Sequence, residues 1–192
     1  SRRYQTSMMK GLRVAYSGTE GAFAHIASCH LFPTAEKVAF SSFKKAYEAV
    51  ESGDCDCALL PVENSFAGDV DQVSDLMFSG SLHVNGMYDL PVTHDLLGIP
   101  GAAIDDIKTV VSHPQALSQC STFIKERALQ ENEYSNTALA AEYVKKTNDK
   151  TIAAIGSAES AELFGLSVVA RSINDDRSNT TRFAVFSRVE GH

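Results

Sequence analysis

The stretch "LRVAYSGTEGAFAHIASCHLF", Leu12 to Phe32, changes character halfway along. Its first seven residues form a short β-type run that ends on a turn residue, Gly18. From Gly21 onward the residues have helical potential, so the stretch reads as strand, loop, helix. The same grammar returns in "TVVSHPQALSQCSTFIKER", from Thr109, and in "TIAAIGSAESAELFGL", from Thr151. Between these units lie further pieces of the same kinds. "FKKAYEAVESGD" sets Phe43, Ala46, Tyr47 and Val50 at helical spacing and stops at Gly53. "CALLPVENS" is an apolar strand ending at Pro61, with a polar cluster directly after it. "DVDQVSDLMFSGS" predicts a helix closed by Gly80, and "LHVNGMYDLPVTHDLLGIPG" alternates like one or two strands. "NTALAAEYVKKT" is an amphipathic helix with Leu139, Tyr143 and Val144 on one face, and "RFAVFSR" closes the series as a strand. Alternating strands and helices imply an α/β fold with mostly parallel sheets, since parallel neighbours need a crossover that a helix supplies. The series falls into two halves, which predicts two lobes. The first ten residues, "SRRYQTSMMK", have no place in it.

The totals narrow the function. Of 192 residues, 44% are hydrophobic and 21% charged, the balance of a water-soluble globular chain. No apolar run approaches the roughly 20 residues that span a bilayer, so no membrane partner is expected. The net charge of −7 argues against nucleic acid, whose phosphates need a basic surface. An anionic substrate must therefore be held by local positive potential. Cys29, Cys55, Cys57 and Cys120 offer only one close pair, a poor zinc pattern, and read as reduced thiols of a cytoplasmic protein. His25, His30, His83, His94 and His113 are scattered and make no metal triad. "GTEG" lacks the endings of a nucleotide-phosphate loop, and no G-x-S-x-G elbow is present.

The polar residues gather at strand ends. "SGTEGAF", "SHPQAL" and "GSAES" each lead from strand to helix. In open α/β sheets ligands bind beyond the carboxyl ends of strands, where helix N-termini present N–H groups and positive dipole ends. Singly, each junction is an economical βα turn. Together with "PVENS" and "SNTTR" they predict an anion-binding cleft. Glu63, Asn64 and Ser65 read either as a helix cap or as site residues. Arg182, beside Asn179, Thr180 and Thr181, pairs with a surface acid or grips a carboxylate with its planar fork.

"YSGTEGAFAH", "DCALLPVENSFAG", "LPVTHDLLG", "VVSHPQALSQC", "AAIGSAESAELFGL" and "NTTRFAVFSR" together resemble the catalytic domain of prephenate dehydratase. The likeness runs from about Gly11 to Arg188. It implies a two-lobed fold like type II periplasmic solute-binding proteins, with lobe one as residues 11–90 plus 178–190 and lobe two as residues 91–177. It also implies decarboxylating dehydration of prephenate with no metal, nucleotide or redox cofactor. Thr181 is then the catalytic threonine, donating to the leaving oxygen, and Glu63 is a second catalytic candidate. Substrate-binding candidates are Arg182, Asn64, Ser65, Thr19, Gly21, Ala22, Asn179, His94, Ser112, His113 and Gln115, with Phe183 packing beneath Thr181. The family implies a homodimer. It also implies fusion to a phenylalanine-sensing ACT domain, which this chain does not contain, and to a chorismate mutase domain whose end residues 1–10 resemble if they are not a linker. Two alternatives stand beside this reading: an arogenate dehydratase, and a solute-binding module of the same fold that catalyses nothing.

Overall fold

In the computed structural model, which describes residues 11–190, the opening stretch forms β1 (Arg13–Ser17) and α1 (Phe23–Leu31). Residues 1–10, assigned above to a linker or an upstream domain, lie outside the described residues. The described chain divides into two units: one runs to Pro91 and resumes at Asn179, the other is Val92–Ser178.

The first unit continues through β2 (Glu36–Phe40), α2 (Phe43–Glu51), β3 (Cys57–Asn64), β4 (Gly68–Asp69), α3 (Asp71–Ser79) and β5 (His83–Pro91). The last strand, β11 (Thr180–Ser187), completes a six-stranded sheet of order β2-β1-β3-β11-β5, with β4 paired to β3. β1 runs parallel to β2 and β3, as βαβ connections require, whereas β11 is antiparallel to both β3 and β5. The sheet is therefore mixed, because the returning strand starts where its neighbours end. Thr181 stands opposite Asn64, the last residue of β3, and opposite Leu90 near the end of β5. That register brings the head of β11 to the carboxyl edge of the sheet.

The two sheet faces bury different sets of residues. Ala15, Ala58, Leu60, Ala184 and Phe186 pack with Tyr47 and Val50 of α2 and Val73 of α3. Val14, Leu59, Phe183 and Val185 pack on the opposite face with Ala27 of α1 and Phe32. Phe183 is fully buried and meets the Phe23 ring edge-on at 5.7 Å. Ser42 caps α2 by accepting from the Lys45 N–H.

The second unit contains β6 (Asp95–Gly98), β7 (Thr109–Ser112), α4 (Pro114–Gln119), α5 (Ser121–Glu126), β8 (Gln130–Glu133), α6 (Thr137–Thr147), β9 (Ile152–Gly156), α7 (Ala158–Phe164) and β10 (Ser167–Ala170). Its five strands follow the order β10-β6-β9-β7-β8, parallel among β9, β7 and β8 and antiparallel at β6 and β10. β8 is exposed and polar throughout, so no alternation marks it in the sequence. No helix among the described residues is long and apolar enough to cross a membrane.

Within this unit, Asn174 ties the segments at residues 92–94 and 174–176 together. Its Nδ2 donates to the Val92 and Asp176 carbonyls, and its Oδ1 accepts from the His94 N–H. His94 Nε2–H donates to Gln119 Oε1 at 2.5 Å. Burial holds the His94 imidazole below the ordinary histidine value of 6.5, against the pull of Gln119 and Asp95.

Two outcomes follow from this packing. Phe183→Ala should cost about 3–5 kcal/mol by urea denaturation, and Phe183→Leu distinctly less. Because the folded His94 value is depressed, the unfolded chain takes up the proton first. The stability it contributes is present above the ordinary value and lost as pH falls through the folded one. His25, also held low by burial, adds to the same slope. The melting temperature should drop as pH falls from about 7.5 to about 5, and drop less in His94→Gln.

Candidate active site

The head of β11 meets the end of β3 in a closed set of hydrogen bonds. The Ser65 N–H donates to the Thr180 carbonyl, and the Thr180 N–H donates to Ser65 Oγ, both at 2.9 Å. Asn64 sits at the centre. Its Oδ1 accepts the N–H groups of Phe66 and Ala67, each at 2.9 Å, in a turn that asparagine forms readily. Those two donors fix which end of the amide is which. Nδ2 therefore points to β11, donating at 2.9 Å to both Asn179 Oδ1 and Thr181 Oγ1, and at 3.3 Å to the Thr180 carbonyl. Ser65 Oγ donates to the same Asn179 oxygen at 3.3 Å. Asn64, Asn179 and Thr181 are all buried.

This arrangement sets the polarity of the Thr181 hydroxyl. Its oxygen already accepts from an amide, so its own hydrogen is left to donate to another group. An accepted bond also strengthens the bond the hydroxyl then donates. Asn64, Ser65, Asn179 and Thr181 are thus brought together, while Phe183 lies two residues further along the same strand face, in the core.

Arg182 and Glu63 are placed elsewhere. They stand opposite each other across β11 and β3, one register step from Thr181 and Asn64, so both belong to the other face of the sheet. There Arg182 Nε and Nη2 grip Asp89 at 2.8 and 3.3 Å. This pair is half exposed, and the guanidinium holds the Asp89 carboxyl below its usual range. Asp89 is a partner that sequence reading missed. Its signal, an acid opposite an arginine on a neighbouring strand, depends on register.

Thr19, Gly21 and Ala22 form the turn between β1 and α1. The Ala22 N–H donates to the Thr19 carbonyl at 3.0 Å, and Gly21 takes the positive φ of 88° that a turn of this kind demands. The Gly21 N–H donates to His25 Nδ1 at 3.0 Å, so this donor is turned into the protein. Thr19 Oγ1 is buried and finds no hydrogen-bond partner among the described residues.

In the second unit Ser112 ends β7. Its fully buried hydroxyl is the other orphan among the described residues. His113 Nδ1 accepts the Gln115 N–H at 3.1 Å and so caps α4, and both side chains are exposed. His94 is engaged with Gln119 as described above. Buried polar groups are seldom left unpaired, so each of these two hydroxyls calls for an explanation.

The prephenate dehydratase family model matches residues 14–191. The chain is 42% identical over 179 residues to arogenate dehydratase 1 of Petunia hybrida, an alignment covering 92% of this chain and 42% of that protein. The prephenate dehydratase of Staphylococcus aureus aligns structurally with a TM-score of 0.85 at 25% identity, over 94% of this chain and 68% of that one. A protein described as a novel type of quorum-quenching acylase aligns with a TM-score of 0.82 at 34% identity, over 94% of this chain and 65% of that one. The chain spans less than half the length of the curated relatives it matches. With the family model spanning nearly all of the described residues, the chain belongs to the prephenate dehydratase family.

Proposed function

We propose that this chain is a catalytic domain that converts prephenate to phenylpyruvate, carbon dioxide and water, a carbon–oxygen lyase of phenylalanine biosynthesis. The observation that carries the reading is the Asn64 amide donating to Thr181 Oγ1. Prephenate loses its ring carboxylate as carbon dioxide. The electron pair of the broken carbon–carbon bond passes into the ring, and the ring hydroxyl on the far carbon departs as hydroxide, which takes up a proton from solvent to become water. That hydroxyl leaves slowly unless it is protonated or strongly hydrogen-bonded. Thr181, its oxygen committed to Asn64, has its hydrogen free for this oxygen. A threonine is a weak acid, so its service is a strengthening hydrogen bond to the departing oxygen in a site shielded from water.

Asn64 sets the direction of that bond, and Ser65 with Asn179 holds Asn64 in place. The Thr19 and Ser112 hydroxyls, buried and without partners among the described residues, are retained as candidate substrate contacts. Gly21, Ala22, His94, His113 and Gln115 support their own segments through the bonds already described. Arg182, bound to Asp89, acts by fixing β11 against β5 next to Thr181, and Glu63 acts by position on the same face. Acyl-amide cleavage is less well supported. Cys29 lies 3.6 Å from His25 Nε2, but His25 Nδ1 already accepts a backbone N–H. The ring's proton is therefore on Nε2, which cannot then take one from the thiol.

On family grounds the same proposal includes a homodimer and fusion to chorismate mutase and ACT domains. The same proposal includes a cytoplasmic setting, which the free cysteines Cys29, Cys55, Cys57 and Cys120 suit. Several plant relatives are named chloroplastic.

Incubating the protein with prephenate near neutral pH should give phenylpyruvate well above the spontaneous rate; no excess would sink the reading. The same preparation offered arogenate, with phenylalanine as product, decides between the two substrates. Thr181→Val should cut kcat about 10²–10⁴-fold with KM little changed, and Thr181→Ser should keep much of it. Asn64→Asp should also be slow, because the new carboxylate would draw the Thr181 hydrogen back to itself.

A further inference from the structure

β3 and β11 do not keep one register along their length. From Ser187 opposite Cys57 to Phe183 opposite Pro61, each step along β11 is matched by one step along β3. The next step, to Arg182, lands on Glu63 and skips Val62, so β3 holds one residue more than its partner there. That is a β-bulge, a device that re-aims side chains and is common beside active sites. β11 is straight at this point, because it stays in step with β5 from Thr180 to Val185. The irregularity therefore belongs to β3. Pro61 marks it, since β3 lies inside the sheet, where proline is confined to such breaks. The Val62 carbonyl is taken by the Val70 N–H at 2.8 Å, and beyond it β4 pairs Asp69 with Glu63 and Gly68 with Asn64.

The extra residue decides which side chain neighbours Thr181. Continued without it, the register of the strand's body would set Thr181 opposite Glu63. Alternation along β3 agrees. Ala58, Leu60 and Val62 face one core, and Cys57 and Leu59 face the other with Phe183, so Glu63 next in line would share the face of Thr181. With the bulge, Glu63 falls opposite Arg182 instead. The Arg182 guanidinium, raised first by its bond to Asp89, is raised further by the Glu63 carboxylate. The difference is chemical. A carboxylate only accepts hydrogen bonds, and beside Thr181 it would take the hydroxyl hydrogen for itself. The Asn64 amide donates to Thr181 Oγ1 at 2.9 Å and leaves that hydrogen to serve another group.

We infer that the bulge at Val62, held by Pro61 and by the Val70 N–H, is a selector that sets an amide, and not the adjacent carboxylate, beside Thr181. Val62 and Val70 are positioning residues that act through Asn64. The consequence for turnover rests on the dehydratase reading, and the selection itself rests on strand register alone.

Moving the amide one residue back tests the lock without disturbing it. Glu63→Asn combined with Asn64→Ala should turn over prephenate within about threefold of Asn64→Ala alone, since position 63 faces away from Thr181. A recovery of about tenfold, the worth of one hydrogen bond, would show that the strand slips freely and would overturn the inference. Val70→Pro removes the donor from the Val62 carbonyl. It should lower kcat about tenfold with KM within about threefold, and Glu63→Gln should raise kcat more in that background than in the native chain. A lower melting temperature with kcat retained, or no coupling to Glu63, would make the bond merely structural and overturn the selector. Cross-strand nuclear Overhauser contacts need neither substrate nor substitution, and they decide the matter if Val70→Pro does not fold. Contacts of Arg182 with Glu63 and of Thr181 with Asn64 support the selection. Contacts of Arg182 with Val62 and of Thr181 with Glu63 overturn it, whatever the turnover. Native protein that shows the expected contacts but makes no phenylpyruvate overturns the dehydratase reading instead and leaves the selection standing.

Discussion

The site depends on one antiparallel junction, where β11 begins against the end of β3. Strand pairing there sets Thr181 opposite Asn64, and the Asn64 amide then bridges to three groups of the incoming strand. The bridge has a definite direction because two backbone N–H groups occupy the amide oxygen. A hydroxyl that can donate or accept is thereby made a donor. Buried as these groups are, a reversed amide would leave several of them facing like partners, which is costly away from water.

Around that junction the fold supplies rigidity. Phe183, two residues past Thr181, is anchored in the core between β11 and α1, and its contact with Phe23 ties the start of α1 to the same strand face. On the opposite face Arg182 and Asp89 join β11 to β5. This ion pair is half exposed and contributes little to stability by itself, so its value is in register rather than in energy. The hydroxyl is thus held from both sides of the sheet.

Much of this was legible in the sequence. The alternation of strand and helix predicts the α/β class, because each element must bury an apolar face or stripe and the periods differ. Polar residues crowding "PVENS" and "NTTRF" marked both strand ends, and the resemblance to the prephenate dehydratase family singled out Thr181 among them. The mixed character of the sheets was not legible. A returning strand carries the same apolar pattern whether it runs parallel or antiparallel, and only its neighbours decide. β8, polar along its whole length, carried no signal at all.

Taken alone, then, the sequence determined the main strand–helix units and which residue types crowd their ends, because those follow from local periodicity and turn chemistry. Tertiary structure decided which of those residues act together. Asn64 and Thr181 are 117 positions apart and meet through cross-strand register. Arg182, next to Thr181 in the chain, is sent to the opposite face by the two-residue period of a strand. Gly21, a candidate donor by its place in a βα turn, gives its N–H to His25 instead. Each outcome depends on what lies opposite in space, which a one-dimensional pattern does not record.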